Sequence, residues 1–497
     1  MLQVLSLIRS TRNALARVNR IPPDVLSMIP NYWEDGDRDK GLIRLTHVCR
    51  GWREILTSRP LLWNRLDCMN VNRTKLYIER SKCCPLGISL RQARYTFYRE
   101  DAFALTIPHI DRLRTLSVSG KPTKVLPVLA KHFSRPIPLL DTLRISLVCD
   151  QAPIPSDNLF DGDLSSLREL SLTGVTMPLP WADLSNLTTF SLHQVPGDKI
   201  LVTQLLDFFE SVPNLLHIQL HNSIPNSSDA PFGRVVPLPN LKELSIIAQP
   251  AHSVLLKHLT IPIGASLRLE FTFSGGISPI PSYLPRSPEN LHNLSHITAT
   301  HLHFGSEQRS VRFDGPNGGL HVLGHWTQGS DQPHVGITRF LRSLLDQFDV
   351  TRNEWLAITL CHYRPRATAR IETWSVYQTL HSMGDLRTLT LARCINLPFI
   401  LTLNPHKNTS KTVLCPKLEE ITLYIKRLGQ FRINELVSMA KERASKGAKL
   451  SKISIISLDD ASISPREMSQ LREHVSRVEY KFGDAMPTWD TLPATWV

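Results

Sequence analysis

Over most of its length the chain repeats a short apolar phrase: a leucine, two other residues, a second apolar residue, one more, and a third. Leu113-Leu116-Val118, Leu140-Leu143-Ile145, Leu167-Leu170-Leu172, Leu187-Phe190-Leu192, Leu215-Ile218-Leu220 and Leu241-Leu244-Ile246 carry it, their first residues 27, 27, 20, 28 and 26 positions apart. Leu386-Leu389-Leu391, Leu418-Ile421-Leu423 and Leu450-Ile453-Ile455 repeat it at intervals of 32 and 32. The alternation inside each phrase is that of a short strand buried on one face. One such strand cannot bury its leucines alone. The pattern therefore predicts an α/β chain in which parallel strands stack over a continuous core and helices or loops return outside.

This phrase at this period is that of a leucine-rich repeat. Leu386-Leu389-Leu391-Cys394-Leu397 fits the fuller LxxLxLxxCxxL form, and Val175 and Val195 take the equivalent place after the third and fourth strands. Between Leu241 and Leu386 the signal thins to Leu267-Leu269-Phe271, Leu302-Phe304, Leu320-Val322 and Leu356-Ile358-Leu360. There SGGISPIPSYLPRSPEN and FGSEQRSVRFDGPNGGLHVLG are rich in turn residues and read as loops and a hairpin-like elaboration, with a tight turn at Gly315-Pro316-Asn317-Gly318-Gly319. The expectation is an irregular solenoid over 111–482, most irregular over 260–360, with a tail at 483–497.

Side chains between the repeat leucines face the opposite, concave side of such a sheet. They include Thr189, Ser191 and His193; His217, Gln219 and His221; Glu243 and Ser245; Thr388 and Thr390; and Glu420, Thr422 and Tyr424. That surface is polar and lightly charged, suited to a protein target, with contact through the loops as the alternative.

Ahead of the repeats the apolar period changes to three and four. Pro22-Pro23-Asp24 suits a helix N-terminus, Val25, Leu26 and Ile29 supply an apolar face, and Pro30 stops it. NYWEDGDRDK reads as a polar loop. Leu42, Leu45, Val48, Cys49, Trp52, Ile55 and Leu56 then fall at helical spacing up to Arg59-Pro60, and Leu61, Leu62 and Trp63 form an apolar patch that folds back. This predicts a three-helix module over 21–66, a linking or capping region over 67–110, and a lead-in helix over 1–20. The arginine-rich, acid-free first twenty residues also have the character of a mitochondrial transit peptide, but the lead-in helix is the expectation because a structured module begins directly after them.

Ile21-Pro22-Pro23-Asp24-Val25-Leu26, then Leu45-Thr46-His47-Val48-Cys49-Arg50-Gly51-Trp52-Arg53-Glu54-Ile55, then Pro60-Leu61-Leu62-Trp63 resemble an F-box. They are most similar to the F-boxes of the expanded families of filamentous and mushroom-forming fungi, and Leu76 to Leu86, LYIERSKCCPL, resembles the stretch that follows the F-box there. The resemblance implies docking onto the Skp-family adaptor of a cullin–RING (SCF-type) ubiquitin ligase, the rest of the chain choosing the target. It assigns the adaptor contact to Pro22, Leu26 and Ile29, to Leu45, Val48 and Cys49, and to Leu62 and Trp63, with Trp52 in the core. The interruption of the first helix after Pro30 departs from the family pattern.

Composition changes this picture little. A net charge of +13 comes from scattered Lys and Arg, with no run interleaved with aromatics, so nucleic acid is not expected as a partner. Eight cysteines without a CxxC pair read as free thiols in a reducing compartment, cytoplasmic or nuclear, and no apolar run is long enough for a membrane span. No phosphate loop, nucleophile elbow or HExxH is present, and His217 with His221, or His301 with His303, lack a third ligand nearby in sequence. The chain is expected to be a non-enzymatic substrate adaptor without cofactor or metal, the alternative being a scaffold whose helical module caps the repeats.

Overall fold

The computed structural model describes residues 16–33, 35–91, 98–147, 152–153, 164–176, 184–195, 201–223, 233–248, 255–273, 288–304, 308–326, 348–360, 373–392, 396–408, 410–425, 432–457 and 463–483, together with Val4 and Arg12. The expected tail from 484 onward, Cys394, and most of the lead-in segment lie outside them. The chain divides into two compact units, Met1–Val195 and Pro196–Val497. It is a mixed α/β protein: an N-terminal helical region followed by largely parallel sheet.

The first unit opens with helices α1 (Pro23–Met28), α2 (Asp35–Thr46) and α3 (Arg50–Thr57). Two expectations are corrected here. Pro30 does not lead into a polar loop: the chain continues as a 3-10 turn, Ile29–Tyr32, and α2 takes in the acidic stretch from Asp35. An acidic first turn facing the positive end of a helix is favourable, which loop-like composition conceals. Nor is 41–56 one helix, because the chain breaks at His47-Val48-Cys49, where Cys49 is extended and its Sγ accepts a hydrogen bond from the Trp52 amide at 3.5 Å, capping α3.

Strand β1 (Arg65–Leu66) follows, then helix α4 (Val71–Ser81), strand β2 (Leu86–Arg91), helix α5 (Glu100–Ala104), β3 (Leu113–Gly120), helix α6 (Pro122–His132), β4 (Thr142–Leu147), β5 (Glu169–Thr173) and β6 (Thr189–His193). β1 to β6 form a parallel ladder in chain order, with Leu116 beside Leu143, Leu170 and Phe190. β2 was not foreseen, although Leu86-Gly87-Ile88-Ser89-Leu90 alternates as a strand should and its Leu86, Ile88 and Leu90 are buried. Val175 and Val195 are fully buried at the places expected of them.

In the second unit, helix α7 (Val202–Ser211) precedes β7 (His217–His221), β8 (Glu243–Ala248) and β9 (Ser266–Phe273), three parallel neighbours. The order then departs from the sequence. β10 (Ala299–Phe304), β11 (Gln308–Gly315) and β12 (Gly318–Trp326) form an antiparallel meander, and it is the last of them, β12, that pairs in parallel with β9. The hairpin-like elaboration is thus built into the sheet, between β9 and β10. Its turn is the two residues Pro316-Asn317, flanked by paired Gly315 and Gly318; Gly318 has φ +114°, and a Cβ there would collide with the Ala265 carbonyl.

On the other side of β10 the parallel order resumes with β13 (Trp355–Leu360), β14 (Thr388–Ala392), β15 (Glu420–Ile425), β16 (Lys452–Ser457) and β17 (Arg477–Phe482). Helices α8 (Thr373–Ser382), α9 (Asn396–Leu403), α10 (Ile433–Ser445) and α11 (Pro465–His474) occupy the four connections. Every leucine, isoleucine, valine or phenylalanine of the nine repeated phrases is at most 3% exposed. The intervals of 32 leave room for a helix, whereas the 20 residues between Leu167 and Leu187 leave less, and among its described residues that connection holds the two-residue strand Val175–Thr176.

Candidate functional site

Two surfaces are candidates for function, one on the helical region and one on the polar face of the strands. In the helical region Leu26, Leu42, Leu56 and Trp63 are fully buried, and Trp52 and Leu62 nearly so. Trp63 donates its indole N–H to the Leu56 carbonyl at 2.9 Å, meets Tyr77 edge to face at 5.0 Å, and carries the Arg80 guanidinium 4.3 Å above its ring. Of the residues expected at the adaptor contact, Leu26, Leu62 and Trp63 are therefore packing residues; Pro22 and Val48 are exposed and Ile29, Leu45 and Cys49 half-buried.

The break between α2 and α3 is what lifts Val48 to the surface, half exposed. Around it the region shows further apolar side chains that periodicity had not singled out: Val18, Val25, Met28, Tyr32 and Leu61. Val25 and Met28 lie three residues apart on α1, hence on one face, opposite buried Leu26. Six of the twelve large apolar residues exposed among the described residues fall within residues 18–61. Trp33 packs on Gly41 of α2, where any Cβ would strike its ring. An ion pair joins Asp24 of α1 to Arg59 after α3.

On the polar face of the sheets, Thr189, Ser191 and His193 stand together on β6 beside Glu169, Ser171 and Thr173. In the second unit His217, Gln219 and His221 lie beside Glu243, Ser245 and Ile247, and Thr388 and Thr390 beside Glu420 and Thr422, with Tyr424 next to Ala392. Ser191, Ser245 and Thr390 are buried in spite of facing this side, and the rest of the set is half-buried, apart from exposed Glu243. Burial lowers the affinity of His193 for protons and raises the Tyr424 pKa.

Denser chemistry on this face comes from the meander, where sequence periodicity was weakest. Arg268, His321, Arg312 and His301 are direct cross-strand neighbours on β9, β12, β11 and β10. Arg312 pairs with Asp314 at 2.7 Å, and Glu270 receives Arg268 and His325, each at 3.3 Å. The His301 ring lies 4.0 Å from that of Trp355 on β13. Burial, then the Arg312 charge and His321, push the His301 pKa down to about 3. Burial, then Arg268 and Arg312, push that of His321 down to about 4. Burial raises that of Asp314. No group of three or more His, Cys, Asp or Glu able to hold a metal ion occurs among the described residues.

No curated protein matches the chain. Residues 18–69, which span α1 to α3, the apolar surface around Val48 and strand β1, match the family model of F-box-like domains, and the chain carries an F-box-like domain there.

Proposed function

We propose that the protein is the substrate-recognition subunit of an SCF-type cullin–RING ubiquitin ligase. The F-box-like domain binds a Skp-family adaptor, as F-box domains generally do, and the polar face of the sheet binds a protein target. The contribution is proximity: holding the target near the ubiquitin-charged enzyme raises its effective concentration, and no step of chemistry is assigned to the chain. The strands and their outer helices are read as an irregular leucine-rich-repeat solenoid, and the place of action as cytosol or nucleus. The resemblance to fungal F-box proteins belongs to the same reading.

The observation that carries it is the concentration of exposed apolar side chains, Val25, Met28, Val48 and Leu61 among them, on the very segment that matches the F-box-like family. Exposed apolar clusters of this kind mark protein interfaces. The test is binding of a purified Skp-family adaptor to the intact protein and to a variant carrying Met28→Asp, Val48→Asp and Leu61→Asp. These positions are exposed, so the fold is kept, and adaptor binding is expected to fall at least 100-fold. Undiminished binding by the variant, or none by the intact folded protein, would overturn the reading.

A second reading has one observation in its favour. β1, at the end of the F-box-like domain, pairs with β2, and α4 packs against the Pro60–Trp63 turn, so the helical region closes the first edge of the sheet. A scaffold in which this region serves only as a cap would bind no adaptor, and would lose its first sheet when Trp63 is replaced.

A further inference from the structure

Four strands meet in the meander with cationic or hydrogen-bond-donating side chains at one register. Arg268 of β9 faces His321 of β12, His321 faces Arg312 of β11, and Arg312 faces His301 of β10. At the usual strand spacing the row is about 14 Å long. No carboxylate stands in it. Glu270 lies two residues along β9 on one side and Asp314 two residues along β11 on the other, so the arginines are balanced from the flanks while the row stays open to the polar face.

Such a row is costly to build, because like charges directly opposite one another destabilise a sheet. It is tolerated because neutral imidazoles alternate with the guanidiniums: burial and the neighbouring arginines disfavour protonation of both histidines. Arg268 and Arg312 stay about half and a third exposed, while His301 is buried against Trp355. Elsewhere the same register holds Gln219 and Ser245 on one side and Ala357, Thr390, Thr422, Ser454 and Glu479 on the other, so along it the guanidinium and imidazole groups are confined to the meander and the neighbouring β9. Guanidinium groups on a partly desolvated floor are suited to planar or tetrahedral oxyanions, which they meet with charge-assisted hydrogen bonds.

We propose that the row Arg268–His321–Arg312–His301 binds an oxyanion carried by the recruited polypeptide, either a carboxylate or a phosphoryl group. The inference rests on the sheet being the recognition surface, and it names the chemical class recognised there. At neutral pH the histidines take part as neutral imidazoles, since burial and the neighbouring arginines disfavour their protonation. The charged and titratable groups facing them are Arg268, Glu270, His303, Arg312, Asp314 and His325.

The test uses the full chain and fluorescein-labelled probes: hexaglutamate, a Gly-Ser peptide with one phosphoserine, its unphosphorylated form, and hexalysine. Fluorescence anisotropy is expected to show binding of at least one acidic probe and of neither control. Binding by hexaglutamate alone identifies a carboxylate source, and by the phosphoserine peptide alone a phosphoryl source. In an Arg268→Gln, Arg312→Gln variant the affinity is expected to drop at least tenfold with an unchanged thermal midpoint, which separates the row from general attraction to a chain of net charge +13. Should that variant unfold, Arg268→Gln alone, at a half-exposed position, is expected to weaken the probe about threefold. Failure of both acidic probes to bind, or equal binding by the variants, would overturn the proposal. Adaptor binding, measured on the same samples, keeps the two readings apart: adaptor bound without either acidic probe removes the row and leaves the receptor, and the reverse removes the receptor reading.

Discussion

β13 to β17 and the meander β10 to β12 lie in the same unit and share the same hydrogen-bonded ladder, yet they are built by different rules. In β13 to β17 each strand is parallel to the last, and a helix occupies each connection. Along the register that continues from His301 its side chains are small, Ala357, Thr390, Thr422 and Ser454, until Glu479 on β17. The meander reverses direction twice and, with β9 beside it, brings arginines and histidines into one register. The repeat fixes the inward apolar residues of each strand and leaves the opposite face free to vary. The meander uses that freedom to bring Arg312, His321 and His301 side by side next to Arg268.

The largest effect is expected from the core beneath the meander. Phe313 is 1% exposed and its ring lies 4.7 Å from that of Phe348, so Phe313→Ala is expected to cost about 4 kcal/mol. Leu389→Ala, in fully buried surroundings on β14, is expected to cost about 3 kcal/mol. If the meander is part of the ladder, both variants move one and the same unfolding transition in denaturant. An unmoved main transition for Phe313→Ala would make it an appendage.

Next comes Arg443 of α10, a charged residue inside the regular part. It is fully buried, and its guanidinium donates to the Leu414 and Cys415 carbonyls at 2.7 and 2.9 Å, pinning the chain ahead of β15. Arg443→Met fills much of the space but takes the guanidinium donor from both carbonyls, leaving that of Cys415 with the Leu418 N–H alone and that of Leu414 with none of these donors, and is expected to cost about 3 kcal/mol, read as a lower denaturant midpoint.

The histidine row gives a pH effect confined to the meander. Both imidazoles bind protons more weakly in the fold, at about 3 for His301 and about 4 for His321, than the ordinary value of 6.5. The unfolded chain then holds more protons between those values, so their contribution is intact above pH 6.5 and lost as pH falls from 6.5 toward 4. The expected slope is about 1.4 kcal/mol per pH unit for each histidine. His301→Gln should flatten the dependence of the thermal midpoint over pH 6.5 to 4.5, and an unchanged slope would show that the charge is accommodated. The smallest effect is on the regular face: Thr390→Ala and Thr422→Ala are expected to stay within about 0.5 kcal/mol of the parent in the same denaturant experiment.

How far these features could be read beforehand follows their periodicity. The nine leucine phrases announced their strands because each buries its own three residues by local alternation, and the tight turn at Pro316-Asn317 was visible in its glycines. The break at Val48-Cys49 was hidden, because Leu45, Val48 and Trp52 keep helical spacing across it and the cap is a cysteine, an uncommon residue for that role. Exposed Val25, Met28 and Leu61 could not be told from buried Leu26 and Leu62, since chain neighbours of one residue type differ only in which way they face. Glu270, His321 and Arg312 carried no signal at all, being tens of residues apart in places.

By itself the sequence determined the strands of the nine leucine phrases, their inward apolar residues, and an F-box-like segment near the N-terminus, because each depends on local spacing. Only the tertiary structure decided that β12 rather than β10 joins β9, and so that Arg268, His321, Arg312 and His301 form a row. Strand order is settled by which edges satisfy their backbone hydrogen bonds across the whole sheet, and that is a property of the assembled layer, which no single segment contains.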